Sequence, residues 1–243
     1  MPLEQTETIV LRTFNLGEQD KIVVFFSKDR GIIKGVAKGA RKFGNRFGSS
    51  LEPLSLVKAH YYEKERKELI TINNCDLIES FFELQSDPDT SFTLSYFAEL
   101  VEEFSPSHAQ DDKLYRLLLS ILRSLREGGD LNLLSRYFEA WLLKLNGVLP
   151  DLIRCKKCRN ALTDAGWLSY KKDGVFCNRC APQKKEKIKP DLGSFVEWVR
   201  KNPPPEKGPL PFSAEQLDTI KKSLQQIIVF HLEREPKTLR LLP

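Results

Sequence analysis

The chain has 243 residues, of which 41% are hydrophobic and 29% are charged, and this composition predicts a water-soluble protein with one large packed domain or two to three small ones. The N-terminus has no basic segment followed by an apolar run, and the longest apolar runs are shorter than the ~20 residues of a membrane-spanning helix, so we expect neither secretion nor a membrane. The formal net charge of +5 is unevenly distributed, because basic segments at 28–46 and 154–189 flank an acidic segment at 76–150.

The first eighty residues have the patterns of a strand-rich domain. β-branched and aromatic residues form short runs between turns that contain glycine. These runs predict five strands, at 8–14, 21–27, 32–37, 55–62 and 69–73. Because glycines such as Gly31 and Gly35 allow sharp curvature, five short strands at 1–80 predict a small closed barrel. An OB-fold is the first candidate and an SH3-like barrel the second.

The loop between the third and fourth predicted strands combines positive charge, glycine and aromatic residues. Its segment 38–48 carries four cations together with Phe43 and Phe47. Cations can neutralise phosphates and exposed rings can stack on unpaired bases, so the combination favours single-stranded nucleic-acid binding. The competing interpretation is a solvated loop whose rings pack onto the barrel, and the sequence leaves both open for the two phenylalanines. The predicted nucleic-acid contacts are Lys34, Lys38, Arg41, Lys42 and Arg46, followed by Arg12 and Lys21.

Residues 81–243 have the 3.6-residue periodicity of amphipathic helices. The predicted helices lie at 91–104, 111–127, 130–147 and 191–201, with a last one from residue 213. Asp130 is the expected N-cap of the third, and Ser213 with Gln216 has the spacing of a capping box. Because the helices share long apolar stripes, we expect one bundle, and the whole chain is expected to be an α+β multidomain protein.

Four cysteines form the most specific motif of the chain. Two residues separate Cys155 from Cys158 and Cys177 from Cys180, and eighteen residues lie between the pairs. Two such turns can direct four thiolates at one metal ion, so we predict one structural Zn²⁺ in a ribbon-like insertion at 150–189, with no open position for a catalytic water. An iron–sulfur cluster and two disulfides are the less favoured alternatives, since disulfides need an oxidising compartment. The fifth cysteine, Cys75, is expected to be a packed thiol.

The sequence contains no recognisable catalytic constellation. It has no nucleophile elbow, no pair of metal-binding histidines at helical spacing, and no carboxylate cluster that stands out from the amphipathic helices. We therefore expect a binding protein and not an enzyme. A nucleic-acid-binding module associated with RNA or transcription is the alternative to DNA binding, because barrels and zinc ribbons occur there as well.

Two stretches carry a resemblance to a known family. The segments 35–42 (GVAKGARK) and 46–54 (RFGSSLEPL), within a strand-rich N-terminus that precedes helices and four late cysteines, resemble the RecO family of bacterial recombination mediators. The resemblance implies a non-enzymatic protein that binds single- and double-stranded DNA, anneals complementary strands and assists the loading of RecA onto coated single strands. It also implies RecR and single-strand binding protein as partners, and a cytoplasmic, nucleoid-associated location. Some family members lack the cysteines, so the shared activity does not require zinc.

Overall fold

The computed structural model describes residues 2–63, 69–105 and 109–242. Contacts between Cα atoms divide the chain into two units. We call Met1–Leu118 with Pro236–Pro243 the barrel unit, and Leu119–Glu235 the cysteine unit. The domain ranges 1–80 and 81–243, with the insertion at 150–189, stay a sequence prediction.

Five strands close into a barrel in the barrel unit. They are β1 (Leu3–Leu16), β2 (Asp20–Ser27), β3 (Gly31–Ala37), β4 (Leu56–Tyr62) and β5 (Leu69–Glu79). The order around the barrel is β1-β2-β3-β5-β4, with β4 paired again to β1. All neighbouring pairs are antiparallel except β3 and β5, which run parallel. The predicted five-stranded barrel is therefore confirmed, and its strand order is that of the OB-fold.

Two local features allow the sheet to close. The register between β1 and β2 shifts between Val10 and Arg12, and such a bulge bends a strand. As a result, the first half of β1 pairs with β4 and its second half with β2. On β3, a Cβ atom at Gly35 would lie 2.7 Å from Cγ1 of Ile70 and 2.8 Å from Cγ1 of Ile72. The parallel pair β3–β5 therefore requires glycine at this position.

The barrel interior is apolar and includes Cys75. The side chain of Cys75 is 5% exposed, in the same core cluster as Phe25, Ile33 and Tyr61. Burial, reinforced by the negative charge of Asp76, raises the pKa of this thiol to about 12. Cys75 is thus a packed, protonated thiol, as the sequence indicated.

Helical segments follow the barrel strands in the barrel unit. A short 3₁₀ helix (Phe82–Ser86) leads into α1 (Pro88–Phe104), whose N-cap Asp87 accepts a hydrogen bond from the backbone N–H of Thr90 at 2.9 Å. The next helix, α2 (Asp112–Arg126), contains the boundary between the two units. A second 3₁₀ helix (Lys237–Leu241) returns the end of the chain to α1.

The cysteine unit combines three helices with a small sheet. α3 (Leu131–Leu145), α4 (Pro190–Lys201) and α5 (Ala214–Leu232) pack on one another through apolar faces. The capping box predicted at Ser213 and Gln216 is present in both directions. Between α3 and α4, β6 (Gly166–Leu168) pairs with β7 (Val175–Phe176), and also with a strand not predicted from the sequence, β8 (Lys187–Ile188). Within the described ranges, no helix has both the length and the apolar character needed to cross a bilayer.

A buried carboxylate on α1 holds the end of the chain. Glu99, with 3% of its surface exposed, accepts hydrogen bonds from the backbone N–H groups of Lys237 and Thr238, each at 2.9 Å. The hydroxyl of Thr238 donates a third at 2.5 Å. Burial opposes ionisation of this carboxyl group, but the hydrogen bonds from Thr238 and Lys237 and the charge of Arg12 lower its pKa overall.

We predict that Glu99→Gln lowers the free energy of unfolding near neutral pH by about 1.5–3 kcal/mol, because hydrogen bonds to an ionised acceptor are lost. A carboxyl group whose folded pKa is lowered stabilises the fold above its unfolded pKa of about 4.3 and loses that contribution as the pH falls through the folded pKa. In denaturant titrations, the difference between the two proteins should therefore shrink in acid. A difference independent of pH would contradict the assignment, and Glu83→Gln, at an exposed acid of the first 3₁₀ helix, is the control.

Candidate nucleic-acid interface and four-cysteine cluster

The loop at 38–48, here called the basic loop, is fixed to the β1–β2 hairpin by hydrogen bonds. The backbone N–H of Gly39 donates to the Asp20 carboxylate at 2.8 Å, and that of Arg41 donates to the carbonyl oxygen of Gln19 at 2.9 Å. Nη1 of Arg41 donates to the carbonyl oxygen of Gly17 at 2.7 Å. Although it lacks regular secondary structure, the basic loop therefore has a defined path across one end of the barrel.

All four cations of the basic loop are exposed. In the part of the chain that the structure describes, the side chains of Lys38 and Lys42 form no ion pair with an acid. Nε of Arg46 donates to the carbonyl oxygen of Asn73 at 2.5 Å, and its guanidinium lies 4.7 Å from the ring centroid of Phe47. These contacts hold the arginine without neutralising it, so the loop presents an uncompensated positive surface.

The two phenylalanines of the basic loop have opposite environments. Phe47 is 3% exposed and belongs to the barrel core. Phe43 is fully exposed, with a relative accessible surface of 109%. The sequence left both rings open between packing and stacking. The structure makes Phe47 the anchor of the loop and leaves Phe43 as the ring available to a ligand.

Three other predicted contact residues lie on the strands. Arg12 on β1 and Lys34 on β3 both form ion pairs with Glu102 of α1, and Nζ of Lys34 lies 3.4 Å from Oε1 of that carboxylate. The Glu102 side chain is only 16% exposed. Lys21 is half-buried at the start of β2, where its Cα is paired in register with Ala37 of β3. Arg12 and Lys34 thus differ from the cations of the basic loop, because their charges are paired with an acid.

Sequence reasoning missed the role of Glu102. The acids of α1 alternate with its apolar stripe, and this pattern is typical of a solvated helix face. Glu102 instead lies against two strand cations that are far away in the sequence. Only the fold brings these residues together, so no local signal could have identified the cluster.

The four cysteines form one cluster in the cysteine unit. Their Sγ atoms all lie within 4.8 Å of one another, and those of Cys158 and Cys177 are 3.9 Å apart. A tetrahedral zinc site with Zn–S bonds of about 2.3 Å needs sulfur–sulfur distances of about 3.8 Å. The cluster can therefore bind a metal ion such as zinc, with every position of the tetrahedron filled by cysteine.

Tight turns place the four thiols. In the first, the N–H of Arg159 donates to the carbonyl oxygen of Cys155 at 2.9 Å, and Arg159 has the left-handed φ of 62°. In the second, the N–H of Cys180 donates to the carbonyl oxygen of Cys177 at 3.0 Å. The paired strands β6 and β7 join the two turns, which confirms the predicted strand–turn–strand pattern.

The electrostatics of the cluster favour a cation. Burial disfavours the thiolate of Cys155, but backbone N–H groups of Cys158 and Cys177 outweigh it and lower its pKa to about 6. Hydrogen bonds with the sulfurs of Cys177 and Cys158, together with burial, raise the pKa of Cys180 to about 12. Four thiolates this close repel one another, so full ionisation of the cluster requires a bound cation.

Comparison with known proteins identifies relatives over the whole chain. The family model described as Recombination protein O N terminal matches residues 1–81, and Recombination protein O C terminal matches residues 85–240. The DNA repair protein RecO of Koribacter versatilis is 32% identical over 240 residues, which cover 99% of this chain and 98% of the relative. The DNA repair protein RecO of Pelotomaculum thermopropionicum is 31% identical over 240 residues, which cover 98% of this chain and 93% of the relative.

The contrast between the two rings predicts different effects on stability. Phe47→Ala should lower the free energy of unfolding by about 3–5 kcal/mol, because it leaves a cavity in the barrel core. Phe43→Ala should change it by less than about 0.5 kcal/mol, because the exposed ring makes no core contact. Denaturant unfolding of both variants provides the measurement. Equal effects would contradict the placement of the two rings.

Proposed function

The chain belongs to the RecO family of DNA repair proteins, and from this premise we propose that it is a non-enzymatic recombination mediator that binds single- and double-stranded DNA. In this role it anneals complementary strands and assists the loading of RecA onto coated single strands. The observation that carries the proposal is the basic loop, an exposed group of cations around an exposed aromatic ring on an OB-fold barrel.

The basic loop has the chemistry that unpaired DNA requires. Lys38, Arg41, Lys42 and Arg46 can neutralise successive phosphates, and binding of this kind depends little on base identity. The exposed ring of Phe43 can stack on a base, which contributes about 1–3 kcal/mol in such proteins. Because the backbone of the loop is already held against the β1–β2 hairpin, little ordering entropy opposes binding.

The strand cations are expected to contribute less. A phosphate that approached Arg12 or Lys34 would have to compete with the shielded carboxylate of Glu102. Part of the attraction would be cancelled by the loss of the ion pair. We therefore rank Lys38, Arg41, Lys42 and Arg46 as the principal DNA contacts, then Lys21, and last Arg12 and Lys34.

Membership of the family supports the proposed partners. We propose that RecR and single-strand binding protein bind this chain, that RecA is affected indirectly, and that the protein acts in the cytoplasm on the nucleoid.

For the four-cysteine cluster we propose one structural Zn²⁺, held by Cys155, Cys158, Cys177 and Cys180. All four ligands are thiolates, and such closed sites stabilise a fold and do not activate water. The free energy of metal binding would then contribute to the folding of the ribbon around β6–β8.

The DNA-binding proposal is tested by reversing charge in the loop. Lys38→Glu/Arg41→Glu/Lys42→Glu should weaken single-stranded DNA binding and annealing, because three phosphate contacts become repulsive. The slope of log K against log salt should become shallower by about 0.7 for each lost contact. A matched control replaces the exposed Lys113, Lys184 and Lys185 with Glu.

If the loop variant and the control lost the same affinity for single-stranded DNA, the basic loop would not be part of the interface. Circular dichroism should show unchanged secondary structure in both variants. A consistent preference for RNA over DNA in the unmodified protein would favour the alternative, an RNA- or transcription-associated module. Annealing of bare and protein-coated complementary strands tests the mediator activity directly.

The zinc proposal predicts one zinc ion per chain in freshly purified protein, measured by elemental analysis. Chelation should abolish amide-exchange protection around β6–β8 while the barrel strands keep theirs, because the metal site belongs to the cysteine unit. Cys158→Ser should reproduce the effect, and Cys75→Ala, which removes the thiol outside the cluster, should retain the metal. Zinc-free protein with a protected ribbon would refute the proposal.

A further inference from the structure

The cysteine unit contains a second concentration of positive charge, in a cavity of about 540 Å³. The cavity, here called the cationic cavity, is lined by the C-terminal end of α3, by residues of the segment 147–154, by Arg159 and by α4. Four of its lining residues are the cations Lys144, Arg154, Arg159 and Arg200. Its apolar lining includes Leu149, Pro150 and Val196.

Over residues 2–63, 69–105 and 109–242, none of the four cations of the cationic cavity forms an ion pair with an acid. Two acids, Asp151 and Glu197, also line the cavity. One oxygen of Asp151 is occupied by the backbone N–H groups of Ile153 and Arg154, at 2.9 and 3.1 Å. The lining therefore carries a net positive charge.

Two of these cations are held close together despite their equal charge. Burial, followed by repulsion from Arg200, lowers the pKa of Lys144. Nζ of Lys144 lies 4.0 Å from the ring centroid of Trp141, a cation–π contact that holds its position. Four cations against two carboxylates leave a net positive charge around one opening, and this excess costs electrostatic free energy unless an anion binds there.

We propose that the cationic cavity binds consecutive backbone phosphates of single-stranded DNA, as a second contact site in addition to the basic loop. This inference rests on the proposed DNA-binding function. Asp151 and Glu197 offset part of this charge, but four cations spread around one opening still suit the repeating charge of a strand better than a single carboxylate, which needs one or two cations. Further exposed cations lie close in sequence to the cavity residues, since Lys157 is two residues before Arg159 and Lys201 follows Arg200.

The test is a pair of neutral substitutions at the cavity. In Lys144→Gln/Arg200→Gln both changes lie at exposed helix positions, so the fold and the metal content should be kept. With a labelled oligodeoxythymidine, affinity at 0.1 M salt should fall by about fivefold for each lost contact, and the log K–log salt slope should become shallower by about 1.4. Lys184→Gln/Lys185→Gln, which removes two positive charges outside the cavity, is the control and should keep its affinity. Lys144→Arg/Arg200→Lys, which keeps both charges in the cavity, should bind as the unmodified protein does.

The basic-loop variant, measured in parallel, separates the two proposals. If it loses affinity while the cavity variant binds as the unmodified protein does, the cavity site is refuted and the proposed function stands. If neither variant loses affinity, both fail. If the cavity variant keeps its DNA affinity but loses affinity for an acidic peptide with an apolar end, the cavity is a peptide site and the inference is wrong.

Discussion

Closure of the barrel is the constraint on which the barrel unit depends. The sheet closes through the parallel pair β3–β5, whose close approach leaves no space for a side chain at Gly35. The chain leaves β3 at this seam, forms the basic loop and returns into β4. Ala40, Phe47 and Leu51 fill the barrel core from the loop side, so the packing that stabilises the barrel also fixes the path of the loop. An irregular segment can in this way present its cations in a defined arrangement.

The acids of α1 divide the cations of the barrel into two classes. Glu102 compensates Arg12 and Lys34, and those pairs fasten the helix to the strands. The carboxylate oxygens of Glu99 accept hydrogen bonds from Lys237 and Thr238, near the end of the chain. The carboxylate at the basic loop, that of Asp20, accepts a backbone hydrogen bond from Gly39, and among the described residues no acid forms an ion pair with a cation of the loop. The loop therefore directs its positive potential to solvent. For a protein that binds a polyanion, the location of unpaired cations decides the binding surface more than the number of cations does.

Most of the architecture was predictable because its signals are local. Glycine-bounded runs of β-branched residues indicated the five strands, apolar periodicity indicated the helices, and two Cys-x-x-Cys pairs indicated the metal cluster. Whether Phe43 and Phe47 are buried or exposed was not predictable, since two rings four residues apart in a loop have the same local sequence pattern. The strand β8 consists of two residues, too few to show a sequence pattern, and it is recognisable as a strand only through its pairing with β6. The Glu102 cluster and the cationic cavity depend on residues from different elements, and only the fold brings these residues together.

The two units hold their unpaired cations by different physical means. In the barrel unit, hydrogen bonds to the β1–β2 hairpin fix the beginning of the basic loop, and the buried ring of Phe47 fixes its end. In the cysteine unit, the turn that carries Arg159 begins at Cys155, so a metal bound by the four sulfurs would fix that turn directly. Holding like charges together requires a rigid support of one kind or the other, because the charges themselves favour separation. The closed, all-cysteine site fits this requirement, since it can restrain the turn without taking part in any reaction.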